Sequence, residues 1–317
     1  MIKTAEFVSP KHPDKICDLI ADSILDAFLA QDKDSRVAVE AMGGHGHITV
    51  SGEITSRGQV DIEKLVQAIV GENFSVSVHA TSQSPQIALG VDSGGAGDQG
   101  IMIGFACNGT ENFMPLEYEL ARSLCQEIYQ VYPHDGKVQV TIDSDPRFRG
   151  DGVRVVASFQ NTKTSELLKL VQSKIQAEEY LINPAGEWTI GGFDGDSGLT
   201  GRKIVIDSYG PNVPVGGGSF SGKDYTKVDR TGAYIARKIA VDLVKVNNAR
   251  EVLVKLAYAI GQPEPVMAEA LIDGQAIKIV GYDLTPQGIR EFLKLDTVKF
   301  AETAAWGHFG RGFTWDL

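Results

Sequence analysis

Residues Gly216 to Arg230 read GGGSFSGKDYTKVDR, a glycine-rich backbone with cations and carboxylates in close succession. Gly217 to Lys223 fits the G-x-x-x-x-G-K spacing of a phosphate loop, but Asp224 stands where that loop needs a Ser or Thr hydroxyl on magnesium. Such a loop also follows its strand directly. Here the strand-like run from Lys203 to Asp207 is separated from the glycines by Gly210-Pro211-Asn212-Val213-Pro214. What remains is a backbone able to approach a polyanion, with Lys223, Lys227 and Arg230 as cations and Asp224 and Asp229 as candidate metal ligands. That chemistry is a phosphate and magnesium site of a different design.

Three other segments concentrate polar chemistry. Lys11-His12-Pro13-Asp14-Lys15 puts an imidazole, a carboxylate and two ammonium groups at a helix start, where free N–H groups already favour an anion. Taken alone, Asp14 needs to do no more than complement the helix dipole. Gly94 to Gly100 is a tightly turning loop that carries Asp98, and its glycines suit either a close ligand or a plain turn. Gly191 to Lys203 holds Asp194 and Asp196 and then adjacent Arg202 and Lys203, suited to an amino group and a polyphosphate together. A solvated loop is the alternative there. His45, His47 and His308 lack further ligands at zinc spacing. Ser51, Ser84 and Ser197 lack a nucleophile elbow, and no dinucleotide fingerprint occurs.

The elements that must hold these residues alternate. Helical periodicity begins at HPDK and runs through Ile16 to Leu29. Strand-like runs follow at 36–41 and 47–54, then a helix near 61–70 and a strand near 75–80. The pattern recurs with strand 101–107, helix 116–132, strands 137–143 and 153–159 and helix 165–177. It recurs again with strand 202–207, helix 229–246, strands 251–259 and 275–280 and helix 286–293. Strand pairs alternating with single helices predict a mixed α+β fold of three similar α/β domains in a pseudo-threefold arrangement, sheets covered by helices on one face. The expected domains are 1–90, 96–189 and 190–317, with strands open to exchange between them. At 317 residues, 43% hydrophobic and 22% charged, the chain can bury substantial cores. Its formal net charge of −11 argues against nucleic-acid or anionic-membrane binding, so an anionic ligand must meet a local basic cluster. Cys17, Cys107 and Cys125 are far apart and read as reduced core residues. No signal-like or membrane-spanning apolar run is present, and the expected compartment is the cytoplasm.

HPDK, GEIT at Gly52 to Thr55, QSPQI at Gln83 to Ile87, GAGDQG at Gly95 to Gly100, GDSGLTGRK at Gly195 to Lys203, GGGSFSGKD and KVDR at Lys227 to Arg230 stand in the order found in S-adenosylmethionine synthetases. The chain resembles that family, also called methionine adenosyltransferase, over nearly its whole length. The resemblance implies attack of the methionine sulfur on C5′ of ATP and hydrolysis of the expelled triphosphate to pyrophosphate and phosphate. It implies triphosphate contacts from His12, Lys137, Arg202, Lys203 and Lys223, with Asp135 also at the nucleotide. It implies Mg²⁺, two ions, on Asp14 and Asp229, and K⁺ at Glu40 and Ser221. Glu53, Gln83, Asp98, Asp196 and Lys227 match positions for methionine and ribose, and Trp188 and Ile260 match the adenine pocket. A homodimer with active sites at the subunit interface is implied, open to pairing into a tetramer.

The sequence departs from the family pattern in several places. Lys11 replaces a glycine, and Asp194 adds an acid where an uncharged residue is common. The gate segment from Gln83 to Asp98 and the central unit around Val131 to Lys137 are short, and the chain stops soon after Gly307-His308-Phe309-Gly310-Arg311. Two competing readings follow: a magnesium-dependent tripolyphosphatase or ATPase that has lost adenosyl transfer, and a non-catalytic nucleotide-binding subunit.

Overall fold

A computed structural model describes residues 2–82, 94–143 and 152–317. Gln83 and the QSPQI motif lie outside the described residues. In chain order the elements are β1 (Ile2–Val8), α1 (Pro13–Leu29), β2 (Arg36–Gly44), β3 (His47–Thr55), α2 (Ile62–Val70), β4 (Ser75–Thr81), β5 (Gly100–Cys107), α3 (Leu116–Val131), β6 (Gly136–Asp143) and β7 (Val153–Phe159). There follow α4 (Thr164–Lys174), β8 (Glu179–Ile182), β9 (Gly198–Leu199), α5 (Ile204–Asp207), α6 (Val228–Asn247), β10 (Glu251–Tyr258), β11 (Met267–Ile272), β12 (Gln275–Lys278) and α7 (Pro286–Phe292).

The strands form three four-stranded sheets, ordered β1-β6-β7-β8, β9-β2-β3-β4 and β5-β10-β11-β12. Each follows one rule. Three strands come from one third of the chain, and the edge strand comes from another third and pairs antiparallel with the first of them. In the first two sheets the last pair is parallel, because α4 and α2 cross over between β7 and β8 and between β3 and β4. In the third, Asp273 and Gly274 both take positive φ, the backbone of a two-residue hairpin turn, so β11 and β12 run antiparallel.

A long helix covers one face of each sheet. α1 lies on β2 and β9, α3 on β1 and β6, and α6 on β5 and β10. Apolar side chains at helical spacing make these contacts: Cys17, Ile20, Ile24 and Leu25 on α1, Ala121, Leu124, Cys125 and Ile128 on α3, and Ala236, Ile239 and Ala240 on α6 are all buried. The C-terminal segment packs into the centre, with Trp315 stacked on Tyr234 and Phe309 on Tyr209. His308 is buried there beside the Tyr234 hydroxyl at 2.8 Å, a structural role. All three cysteines are free. Among the described residues, no helix is long and apolar enough to cross a membrane.

Three sequence expectations need correction. Lys203 to Asp207 is a turn and a single helical turn, not a strand. Asp207 N–H returns to Lys203 O at 2.8 Å, and Ile206 O accepts from the Tyr118 hydroxyl at 2.7 Å, so tertiary contacts override β propensity. Asp224 is not poised to ligate metal: it is buried, and its oxygens take the Val37 and Thr226 N–H groups and the Lys227 ammonium. Arg230 is also buried, against Asp22, and is no free cation for a polyanion.

Candidate active site

The first turn of α1 organises one cluster. His12 caps the helix, its Nδ1 accepting the Asp14 N–H at 3.2 Å, and Pro13 fills the first helical position, where its missing N–H costs nothing. Asp14 is fully buried. Its Oδ1 accepts the Leu199 N–H at 3.0 Å and its Oδ2 the Lys203 ammonium at 2.5 Å, with Arg202 Nε at 3.4 Å from Oδ1. Burial opposes the Asp14 charge, but the Lys203 and Leu199 hydrogen bonds outweigh it and hold the carboxyl below its ordinary range. Gly198 is needed for this approach, since a Cβ there would lie 2.3 Å from Pro13 O. Burial and then the Lys203 charge pull the His12 imidazole down to about 4. Neutral His12 accepts at Nδ1 and so carries its proton on Nε2.

Around this start stand Lys137 and Asp196, both felt electrostatically by His12. Lys137 projects from the outer face of β6, 3.6 Å from Glu6. Asp135 Oδ2 accepts the Gly192 N–H at 2.9 Å and ties the 191–196 loop to the start of β6. Asp196 is exposed and caps the Ser197 N–H. Trp188 is half-buried, with Nε1 donating to Ser158 Oγ at 2.9 Å.

A second cluster gathers where the 216–230 segment meets β2 and β3. Lys223 bridges to Ala38 on β2, and its ammonium lies 2.6 Å from Asp229 Oδ2. Ala38, Glu40, Ser51, Glu53 and Lys223 line one shallow pocket on the outer face of this sheet. Gly100 approaches Asp229, a Cβ there lying 3.2 Å from Oδ1, so the loop bearing Asp98 ends beside that carboxylate. Asp98 is exposed, and the exposed Ile260 neighbours it through reciprocal hydrogen bonds between Ala96 and the 261–262 backbone. Lys227 pairs with Asp224 at 2.7 Å. Ser221 Oγ is buried with no hydrogen-bond partner among the described residues.

The expected site residues within the described chain therefore fall into two groups: His12, Asp14, Asp135, Lys137, Trp188, Asp196, Arg202 and Lys203 in one, and Glu40, Glu53, Asp98, Ser221, Lys223, Lys227, Asp229 and Ile260 in the other. Each group pairs one candidate magnesium carboxylate with one candidate phosphate lysine. Among the described residues no three of His, Cys, Asp or Glu gather as a ready-made metal cage. Single carboxylates suit Mg²⁺, which takes few protein ligands and keeps water and substrate phosphates, and the orphaned Ser221 hydroxyl suits an oxygen-seeking cation. Sequence reasoning missed Asp18, Asp22 and Asp207 beneath these groups. The signal available was the repeat of Asp14, Asp18, Asp22 and Asp26 every four residues along a helix that otherwise buries apolar side chains.

Comparison with known proteins agrees along the chain. Residues 1–83 match the S-adenosylmethionine synthetase N-terminal domain, 93–188 the central domain and 190–317 the C-terminal domain. An S-adenosylmethionine synthase 2 from Rhodospirillum rubrum is 37% identical over 367 aligned positions, covering 99% of this chain and 94% of the relative. With all three parts matched in order, the chain belongs to the S-adenosylmethionine synthetase family and is an adenosyl-transferring enzyme.

Proposed function

We propose that the chain makes S-adenosylmethionine from L-methionine and ATP, in the cytoplasm, and releases pyrophosphate and phosphate. The observation that carries this reading is the division of the matched residues into two groups, each with its own Lys–Asp pair. Two such clusters, which adjoin where Gly201 meets Ser219, suit a homodimer whose sites draw on residues of both protomers.

In the first step the sulfur–C5′ bond forms and the C5′–O5′ bond breaks, its electron pair leaving with the triphosphate. Charge then grows on O5′ and the phosphates, where preorganised donors act most strongly. Neutral His12, with Nδ1 taken by the Asp14 N–H, directs Nε2–H away from its own helix and can donate there. Lys137, Arg202, Lys203 and Lys223 meet the remaining charge. Asp14 and Asp229 would hold Mg²⁺, and Ser221 with Glu40 would hold K⁺. Magnesium held there would supply charge neutralisation to the phosphates, and in the second step water divides triphosphate into pyrophosphate and phosphate. Glu53, Asp98 and Asp196 suit the methionine ammonium and ribose, Lys227 the carboxylate, and Trp188 and Ile260 the adenine faces.

The test is to incubate the protein with ATP, L-methionine, Mg²⁺ and K⁺ and to quantify S-adenosylmethionine, pyrophosphate and phosphate together. Equal yields of the three are expected. Phosphate release without the sulfonium product would overturn the proposal in favour of a phosphatase.

A further inference from the structure

α1 carries four carboxylates at four-residue intervals, Asp14, Asp18, Asp22 and Asp26, a spacing that keeps successive side chains on neighbouring positions of one helix flank. Each accepts backbone N–H groups from a segment remote in sequence. Below Asp14, Asp18 Oδ1 accepts Gly201 N–H at 2.9 Å, and its Oδ2 accepts the Lys15 ammonium at 2.8 Å. Lys15 also hydrogen-bonds Asp207, at the end of α5. The segment from Gly201 to Asp207, which bears Arg202 and Lys203, is thus fastened at both ends to one carboxylate, directly at Gly201 and through Lys15 at Asp207.

One turn further on, the arrangement repeats for the other cationic loop. Asp22 Oδ1 accepts Gly222 N–H at 2.8 Å and Arg230 Nη1 at 2.7 Å, and its Oδ2 accepts Arg230 Nη2 at 2.8 Å. Arg230 Nη1 also donates to Lys223 O at 3.0 Å. Gly222 and Arg230 bracket Lys223 and Asp229, so this loop too hangs by both ends from a single side chain. Asp18 and Asp22 are wholly buried, so neither faces a ligand. Asp26 does the same mechanical work elsewhere, accepting the Phe300 and Ala301 N–H groups at 2.9 Å, in a segment with none of the candidate cations.

We propose that Asp18 and Asp22 are positioning residues for adenosyl transfer, each fastening both ends of one cation-bearing loop to α1 and so setting where Arg202 and Lys203, and Lys223 and Asp229, stand. This rests on the reading in which Lys203 and Lys223 meet the triphosphate. Displacing such groups by about 1 Å is enough to lose most of their effect.

The experiment uses the full-length protein with D18N, D22N and D26N. In the first two, an amide NH₂ faces the Lys15 ammonium or the Arg230 guanidinium, so one donor must turn away and release a loop end. Binding of inorganic tripolyphosphate in magnesium buffer is titrated calorimetrically, with melting temperature measured alongside. D18N and D22N should weaken tripolyphosphate binding about tenfold or more, whereas D26N should lower the melting temperature and leave that affinity within about twofold. The proposal is overturned if D18N binds tripolyphosphate as tightly as D26N does. D18N decides the matter even where D22N does not fold, because Lys15 keeps Asp207 as a partner. K203A and K223A enter the same titration: full affinity in both overturns the proposal through its premise, while weak binding in both with full affinity in D18N removes the positioning role alone.

Discussion

Lys203 Nζ donates to Asp14 Oδ2 at 2.5 Å, joining a cation expected on the triphosphate to a carboxylate expected on magnesium, 189 residues apart in the chain. Lys223 and Asp229 repeat the relationship at 2.6 Å. Each charge already has its counter-charge, and on the proposed function MgATP would supply both partners anew, phosphate to the lysine and metal to the aspartate. Loading would then be an exchange of ion pairs, which avoids leaving either charge bare.

Replacing Lys203 by Met separates binding from chemistry. The buried Asp14 keeps the Leu199 N–H and Arg202 but loses its shortest partner, so stability should fall by about 3 kcal/mol. Transition-state charge loses one cation, so kcat should fall by roughly 10²–10³. Denaturant titration and steady-state kinetics measure the two effects, and an unchanged kcat would remove Lys203 from the triphosphate.

His12 predicts an acid-side instability. Its pKa in the folded protein is depressed to about 4 by burial and Lys203, below the ordinary 6.5. The unfolded chain therefore binds more protons between those values, and stability falls as pH drops from about 6.5 toward 4. Relative to wild type, H12N, whose side chain can still cap α1, should lose this slope, about 2 kcal/mol across the interval. Parallel slopes for the two proteins would show that the imidazole is not held neutral.

Asp207 predicts the opposite sign. Burial raises its carboxyl to about 7 against the pull of Lys15, with Asp18 adding repulsion. The folded state then holds the extra proton, and wild type loses stability as pH rises from about 4 to 7. D207N, which keeps an acceptor for Lys15, should gain on wild type over that range by about 1–2 kcal/mol in chemical denaturation. A constant difference would refute the raised Asp207 carboxyl.

A site built from two protomers can be tested by complementation. K203A and K223A should each be nearly inactive as homodimers. Co-expressed, they form mixed dimers in which one of the two sites takes both intact halves, so about a quarter of wild-type activity should return. If both groups served one site within a single chain, mixing would restore nothing.

Ser221 separates a cation ligand from an idle hydroxyl. S221A removes a buried oxygen with no partner among the described residues, so stability should hold or rise slightly, within about 1 kcal/mol. Activation by K⁺ should disappear, read as the ratio of rates with and without the ion. A variant still activated by K⁺ would place that cation elsewhere.

The sequence exposed its chemistry more readily than its mechanics. The motifs around His12, Lys203, Lys223 and Asp229 were legible because glycines and charges at such density are rare in plain loops. Long helices such as α1 and α6 were legible from periodicity. β9 was not, having only two residues, and neither was β1, whose residues Ile2 to Val8 pair with Asp143 to Lys137, far along the chain. Lys203 to Asp207 misled because β-branched residues suggest a strand, whereas the buried Asp207 and the Tyr118 hydroxyl decide its shape. Which aspartates were structural was equally hidden: Asp224 looked like a ligand and is an anchor, while Asp18 and Asp22 went unread in the sequence and lie at the base of both cationic loops.

The borrowed edge strands bear on how the molecule comes apart. β1 completes a sheet made by the middle of the chain, β5 one made by its end, and β9 one made by its beginning, so the three layers are linked in a closed cycle of obligations. No layer can open without stripping a strand from another, and unfolding is accordingly a single concerted event with a high contact order and slow refolding. The same closure ties catalysis to integrity: β9 lies directly before the Arg202-Lys203 turn, so the act that closes the cycle also delivers those cations to the start of α1.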